Sequence, residues 1–145
     1  MNHTSEQQVA VDDLLHTPWR EHRPAGLMST LGPFLSRREA DGWAYGLHID
    51  KRHLNQAERV HGGTITALMD QALSAIAWDG SGKSPCLTVQ LNMSFLGAGR
   101  QGQVLIARGT LVHRSAAMLF LEGTVHADDV LIATAQAVFK RVAST

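Results

Sequence analysis

The segment HGGTITALMDQALSAIAW, from His61 to Trp78, combines two features that could serve one chemical reaction. It opens with Gly62 and Gly63 and carries a single charged residue, Asp70, in its middle. A helix N-terminus presents unpaired backbone N–H groups and the positive end of the helix dipole, so two glycines there could hold an oxyanion. Acyl transfer needs such donors on one side of a carbonyl and a base or nucleophile, such as a carboxylate, on the other.

The apolar side chains of this segment recur with the period of a helix. We expect six of them to form a stripe against a sheet: Ile65, Leu68, Met69, Ala72, Leu73 and Ile76. The opposite side holds small residues and Asp70: Gly63, Thr66, Ala67, Asp70, Ser74 and Ala77. Without Lys, Arg or Glu, this face is not typical of a solvated surface. Two simpler interpretations stay open: Asp70 is a solvent-facing or structural carboxylate, and the glycines form an ordinary loop before the helix.

The spacing of the two features limits how they could cooperate. At a rise of ~1.5 Å per residue, Gly62 and Asp70 lie about 12 Å apart along one helix. Reacting atoms must approach to about 3–3.5 Å. If both groups are catalytic, they must come from different copies of the protein, as two antiparallel helices in a two-fold dimer would allow.

The rest of the chain predicts the elements that position this helix. A short N-terminal helix capped by Ser5 precedes a connection to Gly26, and we separate residues 1–26 from a domain of residues 27–145. Two strands are predicted within 26–40 and 42–50, joined near Asp41 and Gly42. After the helix, an alternating strand at 87–95 is followed by three more at Val104–His113, Ala116–His126 and Val130–Val142. The order favours an α+β fold with an antiparallel sheet on one long helix.

Composition limits the classes of function. The 145 residues suit a single domain, and 13 basic residues balance 13 acidic ones, which argues against nucleic acid or an anionic membrane as partner. The single cysteine, Cys86, excludes an intramolecular disulfide and fits a reducing compartment. With no signal peptide or membrane-spanning run apparent, we expect a cytoplasmic protein.

The stretch NQAERVHGGTITALMDQALSAIA resembles the signature of hotdog-fold acyl-CoA thioesterases of the branch named after the phenylacetate-degradation protein PaaI. The shared pattern is Asn, five residues, His-Gly-Gly, and an acid nine positions after the His. The strand CLTVQLNMSFL and the closing VLIATAQAVFKR are also similar to this family. The resemblance implies a six-stranded antiparallel sheet around the helix, homodimers that often pair into homotetramers, and hydrolysis of acyl-CoA without a metal or other cofactor.

The same resemblance implies roles for individual residues. Asp70 is similar to the general base or nucleophile, and Gly62 to the residue whose N–H polarises the thioester carbonyl. Asn55 matches an asparagine that holds the carbonyl or the attacking water, and Thr88 a hydroxyl residue that positions water in some members. His61 belongs to the motif, and it either orients Asn55, lies near the departing sulfur, or is a histidine bonded to backbone.

Binding of the coenzyme A portion is less clearly marked. Gly63 is a candidate for contact with the substrate, and Arg100, His113 and Arg114 are candidate cations for the phosphates because they lie in or beside turns. The alternative for each cation is a solvated surface charge. The chain departs from the family pattern at Glu58, where a glycine is frequent, and after Phe95, where an Arg-Pro-like turn is missing.

Other sites are poorly supported. His48, His53 and His61 lack a zinc-ligand spacing, and no Gly-Xaa-Ser-Xaa-Gly motif of an α/β-hydrolase occurs. Three functions therefore stay open: a thioesterase, a hotdog dehydratase or hydratase acting on acyl thioesters, and a non-catalytic acyl-CoA-binding dimer. The dehydratase would need a histidine paired with an acid.

Overall fold

The computed structural model describes residues 18–143, so the predicted helix starting at Ser5 lies outside the described part. Seven strands and two α-helices occur within residues 18–143. In chain order they are β1 (Arg20–His22), α1 (Leu27–Leu31), β2 (Phe34–Glu39), β3 (Gly42–His48), α2 (Gly62–Gly80), β4 (Cys86–Phe95), β5 (Val104–Arg114), β6 (Met118–Ala127) and β7 (Val130–Arg141). A 3₁₀ turn, Lys51–His53, lies between β3 and α2. Neither of the two α-helices is long and apolar enough to cross a membrane.

The seven strands form one antiparallel sheet in the order β1-β2-β3-β5-β6-β7-β4. Helix α2 packs along one face of this sheet and contacts β3, β4, β5, β6 and β7. The strand that follows α2 in the chain, β4, lies at the edge of the sheet, next to β7. The predicted α+β architecture, an antiparallel sheet around a long helix, is confirmed.

The predicted number of six strands is wrong for the described residues. All six predicted strands are present, and the seventh, β1, lies in the segment predicted as a connection and pairs with β2. Its three residues are all exposed and show no apolar alternation, which is the signal that sequence analysis uses. The division into residues 1–26 and 27–145 stays a prediction.

The start of the first predicted strand is also wrong. Within 26–40 the strand begins only at Phe34, and Leu27–Leu31 forms α1. The flanking Gly26 and Gly32 have φ angles of 79° and 95°, a left-handed region that glycine adopts freely. These two glycines turn the chain into and out of the short helix.

The predicted apolar stripe of α2 lies in the core. Ile76 is half-buried. The other five residues of the stripe are fully buried: Ile65, Leu68, Met69, Ala72 and Leu73. Ala77, which belongs to the opposite, small-residue face, is completely buried as well. Strands on both sides of the helix contact it, so the buried arc is wider than the stripe that the sequence predicts.

A pair of glycines sets how closely α2 approaches the sheet. Gly109 on β5 and Gly123 on β6 are cross-strand partners. A Cβ atom added to Gly109 would lie 2.5 Å from Cδ2 of Leu73, and one added to Gly123 would lie 2.5 Å from Sδ of Met69. Since real Cβ atoms do not approach so closely, the helix rests directly on the bare backbone of these two strands.

We expect Gly109→Ala to lower the free energy of unfolding by about 1–3 kcal/mol, because the added methyl group overpacks the contact with Leu73. Thr110→Val is the matched control, since it changes the next residue of β5 on the exposed side and is expected to shift stability by less than about 0.5 kcal/mol. Urea unfolding measures both. Equal stability of the two variants would contradict the close approach of the helix.

Candidate active site

Asp70 is hydrogen-bonded to the edge strand. The Oγ1 hydroxyl of Thr88 donates to Oδ1 of Asp70 over 2.7 Å, which joins the middle of α2 to β4. Asp70 is half-buried in the single chain, and Thr88 is exposed. One oxygen of the carboxylate is thus oriented by a neighbour, and Oδ2 has no partner within residues 18–143.

A β-bulge places Thr88 on the helix side of the sheet. Thr88 pairs with the buried Phe139, whereas Gln90 pairs with the next residue of β7, Val138, so Val89 is an extra residue in β4. Strict alternation predicts Thr88 on the face opposite to Leu91. That prediction is wrong, because the bulge shifts the alternation by one residue and returns Thr88 to the face of Leu91.

The N-terminus of α2 presents one free amide. His61 is the N-cap residue, and its Nδ1 accepts the N–H of Gly63 over 2.8 Å. The carbonyl of His61 accepts from Thr64 and Ile65 inside the helix. Because a trans peptide points its N–H opposite to its C=O, the Gly62 N–H points out of the helix end. Among the described residues no acceptor is found for it.

Asn55 shapes the loop before the helix. Its Oδ1 accepts the backbone N–H groups of Ala57 and Arg59, at 2.9 and 3.1 Å. The amide Nδ2 is therefore the part of this side chain that stays available to a ligand. Glu58, in the same turn, has a φ of 59°, which is the left-handed conformation that costs a non-glycine residue about 1–2 kcal/mol. This conformation explains why a glycine suits the position.

The single chain does not bring the predicted donor and the predicted acid together. Gly62 begins α2 and Asp70 lies eight residues later, so the two remain about 12 Å apart along the axis. Beside Asp70, β4 has no partner on its outer edge within residues 18–143, and three of its apolar side chains are exposed. These are Leu87 at 60%, Val89 at 56% and Phe95 at 51%.

A large cavity lies elsewhere, on the sheet face away from α2. It measures about 820 Å³, and Glu39 and Arg108 lie in its wall. Arg108 donates two hydrogen bonds to Glu39, at 2.7 and 2.9 Å, and holds the pKa of that carboxyl below its usual range although burial opposes this. A carboxylate already paired in this way is a poor base, so we place the candidate site at Asp70.

The candidate cations for coenzyme A are spread over the molecule. Arg100 lies in a turn bonded to the loop before α2, through the Val60 N–H and the Gly99 carbonyl. Arg114 donates to the Gly80 carbonyl at the other end of α2, about 27 Å away along the axis. His113 lies beside Phe120, with ring centroids 5.8 Å apart. Within one protomer the structure does not bring these three side chains together.

A metal site is not found in the described part. Between residues 18 and 143, no group of three or more His, Cys, Asp or Glu side chains could hold an ion. His53, one of the three histidines that lack a zinc-ligand spacing, is buried and hydrogen-bonded through both ring nitrogens. Asp50 and His53 close a capping box around the 3₁₀ turn, and its signal in the sequence is Asp50, a residue type preferred at N-caps, three positions before the histidine.

Comparison with known proteins identifies the family. A protein-family model described as the thioesterase superfamily matches residues 58–134, which include the start of α2, Asp70 and Thr88. The chain belongs to the thioesterase superfamily. Among curated proteins, this thioesterase-superfamily chain is similar to the Pseudomonas aeruginosa protein named "Putative esterase PA0474", with 32% identity over 119 residues, 81% of this chain and 89% of the relative.

Solved structures match the fold of this superfamily member. BH2602 of Bacillus halodurans, solved with CoA, has a TM-score of 0.73 and 22% identity, covering 97% of this chain and 89% of that one. The phenylacetic acid degradation protein PaaI of Thermus thermophilus, solved as a point mutant, has a TM-score of 0.68 and 21% identity, covering 79% and 97%. The resemblance is confirmed for the thioesterase superfamily and for the fold that this chain shares with these structures.

The N-cap of α2 can be tested by itself. We expect His61→Ala to lower the free energy of unfolding by about 1 kcal/mol, because it leaves the Gly63 N–H without its acceptor. His61→Asn, which keeps an acceptor at the position of Nδ1, is expected to retain most of that stability. Chemical denaturation of the two variants and the parent protein measures the difference, and equal losses in both would argue against a capping role.

Proposed function

We propose that this chain is an acyl-CoA thioesterase that hydrolyses a small-molecule acyl-CoA to the free acid and CoA. The observation that carries the proposal is the hydrogen bond of Asp70 to Thr88, made beside an apolar strand edge that has no partner in the described chain. Membership of the thioesterase superfamily supports the reaction class. The curated esterase relative and the CoA in the Bacillus halodurans structure agree with it.

A thioester needs little catalytic machinery, because sulfur donates weakly into the carbonyl and a thiolate leaves readily. As general base, Asp70 takes a proton from water while the water oxygen attacks the carbonyl carbon. The C–S bond then breaks, and the CoA thiolate takes up a proton. As nucleophile, Asp70 instead forms a mixed anhydride that water hydrolyses. Thr88 orients the carboxylate in either route.

The negative charge that develops on the carbonyl oxygen requires donors. In the proposed site these are the free N–H of Gly62 and the Nδ2 amide of Asn55. The Gly63 N–H is already bound to Nδ1 of His61, so His61 acts as the cap that fixes the helix end. Among the candidate cations, Arg100 is the one beside this helix end, through the bonded turn at Gly99, and we assign it to a CoA phosphate.

Two copies of the chain complete each site in this proposal. The outer edge of β4 pairs with β4 of a second copy, which covers the exposed Leu87 and Val89 and brings the N-terminus of one α2 toward Asp70 of the other. The homodimer then holds two equivalent sites. Pairing of dimers into tetramers, catalysis without a metal or other cofactor, and a cytoplasmic location are further expectations from the sequence.

The two alternative functions differ in what they need at Asp70. A dehydratase or hydratase needs a histidine that shares protons with the acid, whereas the partner of Asp70 between residues 18 and 143 is a threonine hydroxyl. A non-catalytic acyl-CoA-binding dimer would bind its ligand without any need for the carboxylate. Release of free thiol by the wild-type protein therefore separates a thioesterase from both alternatives, and loss of that release in an Asp70 variant assigns the reaction to the carboxylate.

We expect Asp70→Asn and Gly62→Pro each to lower kcat by about 10²–10³-fold or more. Proline suits the first position of a helix, and His61 with φ −62° and ψ 135° tolerates a following proline, so Gly62→Pro removes the N–H with little change of backbone. Gly62→Ala, which keeps the N–H, is the matched control and should retain most activity. Release of free thiol from acetyl-, hexanoyl- and benzoyl-CoA measures the rates.

Wild-type levels of thiol release by Asp70→Asn would remove Asp70 from the mechanism. Equal activity of Gly62→Pro and Gly62→Ala would remove the Gly62 N–H from it.

Mixing the two inactive variants tests whether the site is shared. A mixed dimer of one Gly62→Pro chain and one Asp70→Asn chain would contain one site with both defects and one with neither. After co-refolding at equal amounts, about half of the dimers are mixed, so thiol release should recover to about a quarter of the wild-type rate. A site built within one protomer would show no recovery, and each variant refolded alone is the control.

A further inference from the structure

His53 is buried in the loop of residues 50–61, which contains Asn55 and leads into Gly62. All of its polar atoms are hydrogen-bonded. The residue as a whole is 1% exposed. Nδ1 accepts the N–H of Asp50 over 2.9 Å, so the neutral ring carries its proton on Nε2, which donates to the Leu31 carbonyl over 2.6 Å. The ring therefore bridges its own 3₁₀ turn to the end of helix α1.

The backbone carbonyl of the same residue holds the start of α2. It accepts the N–H of His61 over 2.8 Å and the Oγ1 hydroxyl of Thr64 over 3.1 Å. His61 immediately precedes Gly62, and its position sets the direction of the peptide that carries the Gly62 N–H. One residue thus connects α1, the loop and the helix end.

The loop has few other attachments to the core. Between Asp50 and His61 only His53 and Val60 are buried, and residues 55–59 are all exposed. Val60 is held by the turn at Gly99 and by an isolated bridge to Leu54. Two side-chain bonds tie the 3₁₀ turn of this loop to the segment leading into β2. The exposed Arg52 guanidinium donates to the Thr30 carbonyl over 3.2 Å, and the buried His53 ring donates to the Leu31 carbonyl.

We propose that His53 is a positioning residue of the thioesterase site, which aligns the Gly62 N–H and the Asn55 amide by fixing their loop to the carbonyl of Leu31. The inference rests on the proposed function, because it assigns His53 to the same reaction. His53 does not touch the substrate in this proposal. Its effect is expected in kcat more than in KM, since a donor displaced by about 1 Å loses about 10²-fold in rate.

Two substitutions separate the contacts of the ring. His53→Asn keeps an acceptor near Nδ1 for Asp50 but loses the donor to Leu31, and His53→Gln keeps a donor near Nε2. With the acyl-CoA that wild type hydrolyses fastest in the panel, we expect His53→Asn to lower kcat about a hundredfold with KM changed less than about threefold. His53→Gln should restore kcat to within about threefold of wild type. His48→Asn, on an exposed histidine at the end of β3, is the control.

Thermal unfolding and the folded fraction are measured on every variant, and kcat is expressed per folded protein. A merely structural role would lower the unfolding temperature in both His53 variants while leaving kcat per folded protein unchanged, and that result would overturn the inference. Equal losses of kcat in His53→Asn and His53→Gln would overturn it as well.

If His53→Asn does not fold, Thr64→Val tests the same link from the helix side, because it removes one of the two donors to the His53 carbonyl while keeping the shape of the side chain. A severalfold fall in kcat at constant KM is expected, and an unchanged kcat would overturn the inference. A wild-type protein that releases no thiol from any acyl-CoA of the panel would instead overturn the proposed function, and this inference with it.

Discussion

A helix fixes the distance between the groups it carries, and this constraint governs the arrangement of the candidate site. Gly62 and Asp70 lie about 12 Å apart on α2, and no change of rotamer closes that distance. A rigid movement of the helix relative to the sheet does not change this distance either, because both groups move with the helix. A reaction that uses both the helix end and the carboxylate must therefore take one of them from another copy. The position of β4 at the sheet edge, with its outer side unpaired in the described chain, gives that copy a place to bind.

The parts of the fold that the sequence predicts well are those with strong periodicity. Helix α2 starts and ends within two residues of its prediction, and β4, β5, β6 and β7 lie where alternation and turn residues place them. The failures have local causes. Helix α1 has too few residues to show a helical period. Strand β1 has only three residues, and all of them are exposed. The bulge at Val89 cannot be seen in β4 alone, since Thr88 and Val89 both suit a strand. It becomes visible only in the register with β7.

The residues of the candidate site also differ in how clearly the sequence reveals them. Asp70 stands out in the sequence as the single charge between His61 and Trp78. Thr88 entered only through the family resemblance, and it lies beside Asp70 because of the bulge. The candidate cations were chosen for their position in or beside turns, and the structure gives one of them a local acceptor. Arg114 is engaged by the Gly80 carbonyl at the C-terminal end of α2, because unpaired carbonyls there attract a guanidinium. Such local acceptors are set by tertiary structure, and a position beside a turn does not reveal them.

The two glycines at the N-terminus of α2 differ in whether a larger side chain would fit at their position. A Cβ atom on Gly63 would lie 3.0 Å from Nδ1 of His61, so a side chain there would crowd the ring that caps the helix. A Cβ atom on Gly62 would only touch the ring of Phe95, at 3.5 Å, which is an ordinary contact, so an alanine fits at this position. Gly63 therefore permits the cap, whereas Gly62 contributes its exposed N–H, which any residue except proline would also supply. Because the Gly63 N–H donates to Nδ1 of His61, the Gly62 N–H is the one free donor at the helix end. A second donor has to come from a side chain such as the amide of Asn55.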